Sequence, residues 1–139
     1  MNKKGYTLIE LLSVITLVAI LLSVAVISYT TFINNANNRV YENYIDSMHE
    51  AAIMYFSKDS SRLPNRNETK YFCTNNCPVS NYISMSELGL SDIYNPKNEN
   101  DKCLDSYIIA SRTNESVISI DYHIYLKCTD YEKDKSFSN

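Results

Sequence analysis

The chain has 139 residues, a formal net charge of −3, twelve tyrosines, no tryptophan and only two glycines. This length fits one domain, and the scarcity of glycine and proline excludes a flexible low-complexity chain. The acidic balance, without a basic stripe, excludes general binding to nucleic acids, which needs clustered Lys and Arg.

The first predicted element is a membrane-spanning helix. From Leu11 through Ile33 there is no charged residue, and a helix of this length crosses a hydrocarbon core about 30 Å thick. Lys3 and Lys4 precede the span, so the positive-inside tendency places the N-terminus in the cytoplasm and the remaining chain outside. A cleaved secretory signal peptide is the competing interpretation, since it also has a basic start and an apolar middle.

Glu10 is the unusual residue near the start of this apolar run. A carboxylate on a membrane helix costs a few kcal/mol and by default marks a specific partner or function. The nearby charges of its own chain, at Lys3, Lys4 and the amino terminus, would lie in water. Cleavage after Gly5 would give a neighbouring copy of the helix a new amino group, which would supply a cation and make Glu10 an assembly residue.

The stretch KKGYTLIELL resembles the prepilin signature of type IV pilins and of the pseudopilins of type II secretion and DNA-uptake systems. The resemblance implies that a prepilin peptidase cuts after Gly5 and N-methylates Tyr6. It also implies that Glu10 pairs with the terminal amine of an adjacent subunit as a filament grows. Tyr6 replaces the commoner Phe, and the proline that kinks many pilin helices is missing. Major pilin, minor pilin and pseudopilin therefore stay open.

The helix is predicted to continue beyond the membrane. Neither Gly nor Pro occurs between Gly5 and Pro64, so nothing local ends it. We predict one helix from about Thr7 to about Ser57, with a polar loop at NNANN as the alternative, because Asn has poor helix propensity. The apolar stripe that makes its outer half amphipathic has spacings of three and four: Ile33, Ala36 or Asn37, Val40, Tyr44, Met48, Ala51 or Ala52, and Tyr55.

The remaining chain predicts loops, one helical turn and a β-hairpin. KDSSRLPNRNETK and NPKNENDK are predicted loops, and Ser84 with Glu87 forms a capping box for a turn that ends at Gly89. DSYIIAS and SVISIDYHIYLKC flank RTNE as a hairpin, and the tail TDYEKDKSFSN looks solvated. The second strand places one apolar set on the face expected to pack on the helix: Ile118, Ile120, Tyr122, Ile124 and Leu126.

Four cysteines lie in the part predicted to be outside, where thiols tend to oxidise. Three pairings are open to them, and we favour Cys73 with Cys77 and Cys103 with Cys128. Cys128 continues the apolar parity of the second strand and so should point toward the core. A four-cysteine zinc site and free thiols are the alternatives, although the C-x3-C spacing with two widely separated cysteines is not the usual zinc pattern.

Other candidate sites carry weaker signals. His49 beside Glu50 and His123 near Asp121 suggest a hydrolytic pair, but no nucleophile motif accompanies them. The oxygens of NPKNENDKC suit calcium but follow no fixed ligand spacing. The sequons at Asn67 and Asn114 matter only if the host glycosylates them. We therefore predict no catalytic residue, no metal and no cofactor.

Taken together, these features predict an α+β, pilin-like fold: a long N-terminal helix packed against a small antiparallel sheet. We expect a leader at residues 1–5, a transmembrane segment at 6–33, an amphipathic continuation at 34–57 and a small globular domain at 58–139. A stretch from YISMSELGL through IDYHIYLKC also resembles the C-terminal half of pilin-like proteins from Gram-positive bacteria.

The resemblance implies a non-enzymatic subunit of a type IV pilus or pseudopilus, serving adhesion, motility, DNA uptake or secretion. Its partners would be copies of itself or other pilins, the prepilin peptidase, the membrane assembly platform and the lipid bilayer. It would lie first in the cytoplasmic membrane and then in a surface filament. The alternatives are a membrane-anchored extracellular binding protein that does not polymerise, and a tip subunit that grips DNA locally through Arg62, Arg66 and Lys70.

Overall fold

The computed structural model describes residue 5 and residues 7–90, 92–112 and 119–138. These residues fall into two compact units, one up to Asn38 and one from Arg39 onward. A single helix, α1 (Leu8–Lys58), contributes to both units. The prediction of one helix from Thr7 to Ser57 is confirmed to within one residue at each end. The alternative of a loop at NNANN is wrong, because residues 34–38 are helical.

In the first unit, the apolar side chains of α1 are exposed. Ile20, for example, is 65% exposed. The hydroxyls of this segment donate to carbonyls three or four residues earlier, so they need no outside partner; they belong to Ser13, Thr16, Ser23, Ser28, Thr30 and Thr31. Among the described residues, α1 is the one helix long and apolar enough to cross a membrane.

In the second unit, the outer part of α1 packs against a five-stranded sheet of order β2-β1-β5-β6-β7. Neighbouring strands are antiparallel except β1 and β2, which are parallel. Strands β3 and β4 form a separate antiparallel pair. The strands are β1 (Thr69–Cys73), β2 (Ile83–Ser84), β3 (Tyr94–Asn95), β4 (Asn98–Lys102), β5 (Tyr107–Ser111), β6 (Asp121–Cys128) and β7 (Tyr131–Phe137).

The core of the second unit lies between α1 and one face of the sheet. Strand β6 alternates between half-buried and buried residues, as its period of two requires. The predicted inward face is confirmed for Tyr122, Ile124 and Leu126 of β6 and for Ile120 just before it, while Ile118 lies outside the described residues. The helix supplies a buried stripe at spacings of four and three: Tyr41, Ile45, Met48, Ala52 and Phe56.

The predicted stripe of α1 is confirmed in part. Met48 and Ala52 are buried as predicted, but Val40, Tyr44 and Tyr55 are only half-buried, and their neighbours Tyr41, Ile45 and Phe56 are buried instead. Both sets are apolar and satisfy the same periodicity, so the pattern alone does not choose between them. The choice follows from which set meets the sheet.

The C-terminal tail, predicted to be solvated, is strand β7, so that prediction is wrong. Its alternate residues face α1, where the Tyr131 ring stacks on Tyr41 with 3.6 Å between ring centres. Two lysines between the aromatic ends reach helix acids: Lys133 contacts Glu42, and Lys135 Nζ lies 2.9 Å from an Asp46 oxygen. The sequence did not indicate this strand, because its lysines look solvent-exposed until the fold brings them to the acids of α1.

Three further predictions meet different outcomes: one loop is partly wrong, and the helical turn and the hairpin are confirmed. NPKNENDK is not a loop throughout, because β4 begins within it and pairs with β3. The predicted turn is confirmed as a 3₁₀ turn, Met85–Leu88, with the Ser84 side chain accepting from the Ser86 amide at its start. Gly89 ends it with a φ of +77°, a conformation that glycine adopts without a steric penalty. The predicted hairpin is formed by β5 and β6.

Candidate assembly site at the N-terminus

Glu10 lies in a capping box at the start of α1. The Thr7 amide donates to Glu10 Oε2 over 2.8 Å, and the Thr7 hydroxyl donates to the same oxygen over 2.9 Å. In return, the Glu10 amide donates to the Thr7 hydroxyl oxygen over 3.4 Å. The Thr-x-x-Glu spacing satisfies amide groups that the first turn leaves unbonded. The carboxylate is therefore oriented by its own helix.

The Glu10 carboxylate remains accessible and without an ion pair to any described residue. Its side chain is exposed, and the ion pairs among the described residues all belong to the second unit. Tyr6, Lys3 and Lys4 lie outside the described residues. At Gly5, an added Cβ would meet no atom within 4 Å, so packing within this chain does not require glycine there.

The four cysteines form two disulfides in the second unit. Cys73 is bonded to Cys77 with a Cα separation of 5.6 Å, and Cys103 is bonded to Cys128 with a Cα separation of 4.1 Å. This is the pairing that the sequence favoured. Cys103 and Cys128 belong to the hydrophobic core, where they join the segment before β5 to the end of β6. With all four thiols bonded, the zinc and free-thiol alternatives do not describe this structure.

The two histidines lie on opposite faces of the sheet. The His49 ring packs on the helix side, stacked on Phe137 with 3.9 Å between ring centres. His123 is on the other face, where Nδ1 lies 3.0 Å from the Ser136 hydroxyl and Nε2 lies 3.8 Å from an Asp134 oxygen. The structure does not bring the two imidazoles together, so the suggested hydrolytic pair has no geometric support.

Asn95, the first residue of NPKNENDKC, joins several elements, a role that the sequence did not indicate. Its side chain is 2% exposed and accepts from the Tyr41 hydroxyl over 2.7 Å. Its amide nitrogen donates to Asp101 over 2.8 Å and to Asp130 over 2.6 Å. These bonds are the leading cause that lowers the pKa of both carboxyls. The amide group of Asn95 therefore bridges the two carboxylates and the Tyr41 hydroxyl.

The remaining candidates are the basic residues suggested for DNA binding and the two glycosylation sequons. Lys70 Nζ donates to the Arg62 carbonyl over 2.8 Å, and the Arg62 guanidinium lies 4.7 Å from the centre of the Tyr55 ring. Arg66 is exposed nearby in sequence. Asn67 is also exposed, with a φ of +58°, whereas Asn114 lies outside the described residues. Across the described part of the chain, no group of three or more His, Cys, Asp or Glu is arranged to hold a metal.

Comparison with known proteins identifies the N-terminal segment. Residues 1–26 match the family model of the prokaryotic N-terminal methylation motif, which is the signature of type IV pilins and pseudopilins. No curated protein and no solved structure matches the chain. The match includes Gly5, Tyr6 and Glu10. It ends before the second unit begins, so it does not bear on the expected Gram-positive origin.

Proposed function

We propose that this chain, whose first 26 residues carry the type IV pilin and pseudopilin signature, is a structural subunit of a pilus or pseudopilus. It is made as a prepilin, cut after Gly5 by a prepilin peptidase, methylated at Tyr6 and assembled into a helical filament. The motif match is the observation that carries this proposal. The exposed apolar part of α1 and the accessible Glu10 carboxylate support it.

The same features support a division of the chain into segments with different roles. The motif and the apolar helix fit membrane anchoring and surface display. We propose that residues 1–5 are the leader, 6–33 the membrane segment, 34–57 the continuation of the helix and 58–139 the small globular domain. The N-terminus would then lie in the cytoplasm and the globular domain outside, before the subunit enters the filament.

Glu10 has a specific task in this proposal. Moving apolar side chains from lipid into a bundle of helices gives little hydrophobic gain, because lipid tails are equally apolar. Register between subunits must therefore come from close packing and from polar pairs. The Thr7 capping box holds the Glu10 carboxylate at the helix start, where the methylated amine of a neighbouring subunit would find it. A charge pair in a low dielectric is position-sensitive, so it would select one register.

The partners follow from the assembly chemistry. They would be other copies of this chain or other pilins, the prepilin peptidase and the assembly platform in the membrane. The signature belongs to a structural family rather than to an enzyme family, and we propose that this chain has no catalytic role. A subunit of this kind serves adhesion, motility, DNA uptake or secretion through the filament that it builds.

The decisive experiment is the intact mass and N-terminal peptide of the protein isolated from its native membrane. Cleavage after Gly5 and methylation should give a mature chain that begins with N-methylated Tyr6. A chain that still begins at Met1, or one cut after the apolar span, would contradict the proposal. It would favour a membrane-anchored or secreted binding protein instead.

A second test separates a filament subunit from an anchored binding protein. The second unit has its own core and two disulfides, so it should fold on any membrane anchor. Replacing residues 1–33 with an unrelated anchor should abolish function if the chain works by polymerising. Retained function would show that the N-terminal segment serves only as an anchor.

A further inference from the structure

The strongest feature without an assigned role is the packing of His49, on α1, against Phe137 at the C-terminal end of β7. The imidazole lies between two aromatic rings: it stacks on Phe137 at 3.9 Å with 13° between the planes, and it meets Tyr122 edge-on at 5.0 Å. Its Nε2 atom is buried and has no hydrogen-bond partner. A neutral ring with Nε2 deprotonated tolerates this position better than an imidazolium, which must donate from both nitrogens.

Titratable groups on α1, β6 and β7 surround this ring. Asp46 and Glu50 on α1 favour the protonated form, whereas Lys135 on β7 opposes it. Tyr122 on β6 stays neutral, because burial raises its pKa to about 12. Lys135 Nζ already lies 2.9 Å from Asp46 and 4.8 Å from the centre of the Phe137 ring, so one of the two acids is engaged. Burial is the largest influence, and it lowers the pKa of His49.

We propose that His49 is an acid-sensitive latch: its neutral ring holds the C-terminal end of β7 on α1, and its protonation releases that end. Protonation would place an N–H without an acceptor at a buried position and a second cation near Lys135. Phe137 forms the last pair of the β6–β7 ladder, opposite Tyr122. The strand would therefore open from this end, as terminal segments with few contacts do.

The pH dependence has a definite sign. A histidine whose pKa is lowered in the folded state binds fewer protons there than in the open state. The latch is then complete above the ordinary histidine pKa of about 6.5 and weakens as the pH falls through and below it. Mild acid would expose the helix surface around His49 and one edge of β6. This inference does not depend on the proposed function, because it concerns only the second unit.

Hydrogen exchange on the full chain in detergent micelles tests the latch. Exchange of β7 amides, corrected for intrinsic rates, should be several-fold faster at about pH 5.5 than at about pH 7.5, while β1 serves as the internal reference. His49→Phe keeps a planar ring against Phe137 and should remove the pH response. His123→Asn is the control for the other histidine: it alters the contacts of His123 with Ser136 and Asp134 of β7 and so can change the overall exchange, but it leaves His49 in place and should keep the pH response.

Equal protection of β7 at both pH values in the unmodified chain would overturn the proposal, as would loss of the response in His123→Asn alone. If His49→Phe does not fold, NMR titration of the two histidine rings in the unmodified chain decides the matter. The opening of β7 should then follow the titration of His49. A midpoint that follows His123 instead, or neither ring, would exclude the latch.

Discussion

The two parts of α1 are equally helical, yet their apolar side chains meet different surroundings. Ile20 in the first unit is 65% exposed, whereas Ile45 in the second unit is fully buried against the sheet. The second part follows the rule for a surface helix, with one apolar stripe turned to a core. The first part exposes large apolar residues over most of its circumference, which is typical of a segment that lipid or other helices must cover. The comparison teaches that one continuous helix can combine a segment whose apolar surface lacks a cover within the chain and a segment whose apolar stripe packs on a core.

The polar groups of the two units differ in the same way. In the first unit, the serine and threonine hydroxyls bond to their own helix, and the Glu10 carboxylate accepts from Thr7, so these polar groups have local partners. In the second unit, polar groups find distant partners, as Tyr41 does with Asn95. Local hydrogen bonds are required wherever the surroundings of a helix supply no water to bond its polar groups. Hydrogen bonds between residues far apart in the chain suit a domain that folds in water, because water bonds its polar groups until they meet their partners.

Neutralising Glu10 should produce the largest change. Glu10→Gln keeps an oxygen that can accept from Thr7 but removes the charge, so membrane insertion should persist while incorporation into filaments falls below detection. The measurement is the ratio of protein in sheared filaments to protein in membranes. Glu50→Gln is the matched control, because it neutralises an exposed acid of the same helix in the second unit. Normal incorporation of Glu10→Gln would rule out the assembly role.

Removing a disulfide should weaken the second unit more when the loop that it closes is longer, by an amount that grows with the logarithm of the loop length. The Cys103–Cys128 bond spans 25 positions and the Cys73–Cys77 bond spans 4. The chain-entropy relation gives losses of about 3.5 kcal/mol for the longer loop and about 2 kcal/mol for the shorter one. Paired Cys→Ser variants, unfolded by denaturant in micelles, would measure both. Equal losses would show that native packing, and not loop closure, sets the effect.

A matched pair of isoleucine substitutions tests the contrast between the two parts of α1 directly. Ile45→Ala leaves a cavity in the core and should lower the free energy of unfolding of the second unit by about 3 kcal/mol. Ile20→Ala removes the same atoms from an exposed position and should leave that free energy unchanged. Denaturant unfolding followed by the near-ultraviolet signal of the tyrosines reports on both. A comparable loss in Ile20→Ala would mean that the first unit contributes to the stability of the second.

The sequence-based prediction of β7 failed for a physical reason. A strand is recognised in a sequence by the alternation of apolar and polar residues. In β7 the helix-facing positions include two lysines, so this alternation is lost; these positions are Tyr131, Lys133, Lys135 and Phe137. Lysines are tolerated on this face only because each lies opposite an acid of α1: Lys133 pairs with Glu42 and Lys135 with Asp46. The acids and the lysines are about ninety positions apart, so no local window contains both. The bridging role of Asn95 was not predicted for the same reason, since its hydrogen bonds run to Tyr41 and Asp130, which are distant in the sequence.

Some features of this protein were determined by the sequence alone, because their causes are local. The uninterrupted helix, the capped turn at Ser84, the hairpin of β5 and β6 and the motif around Glu10 all follow from neighbours within a few positions. The tertiary structure alone decided which stripe of α1 is buried, where β1, β2 and β7 pair, and how Asn95 and His49 are surrounded. Those outcomes depend on contacts between segments far apart in the chain, where the geometry of packing selects among patterns that are locally equivalent.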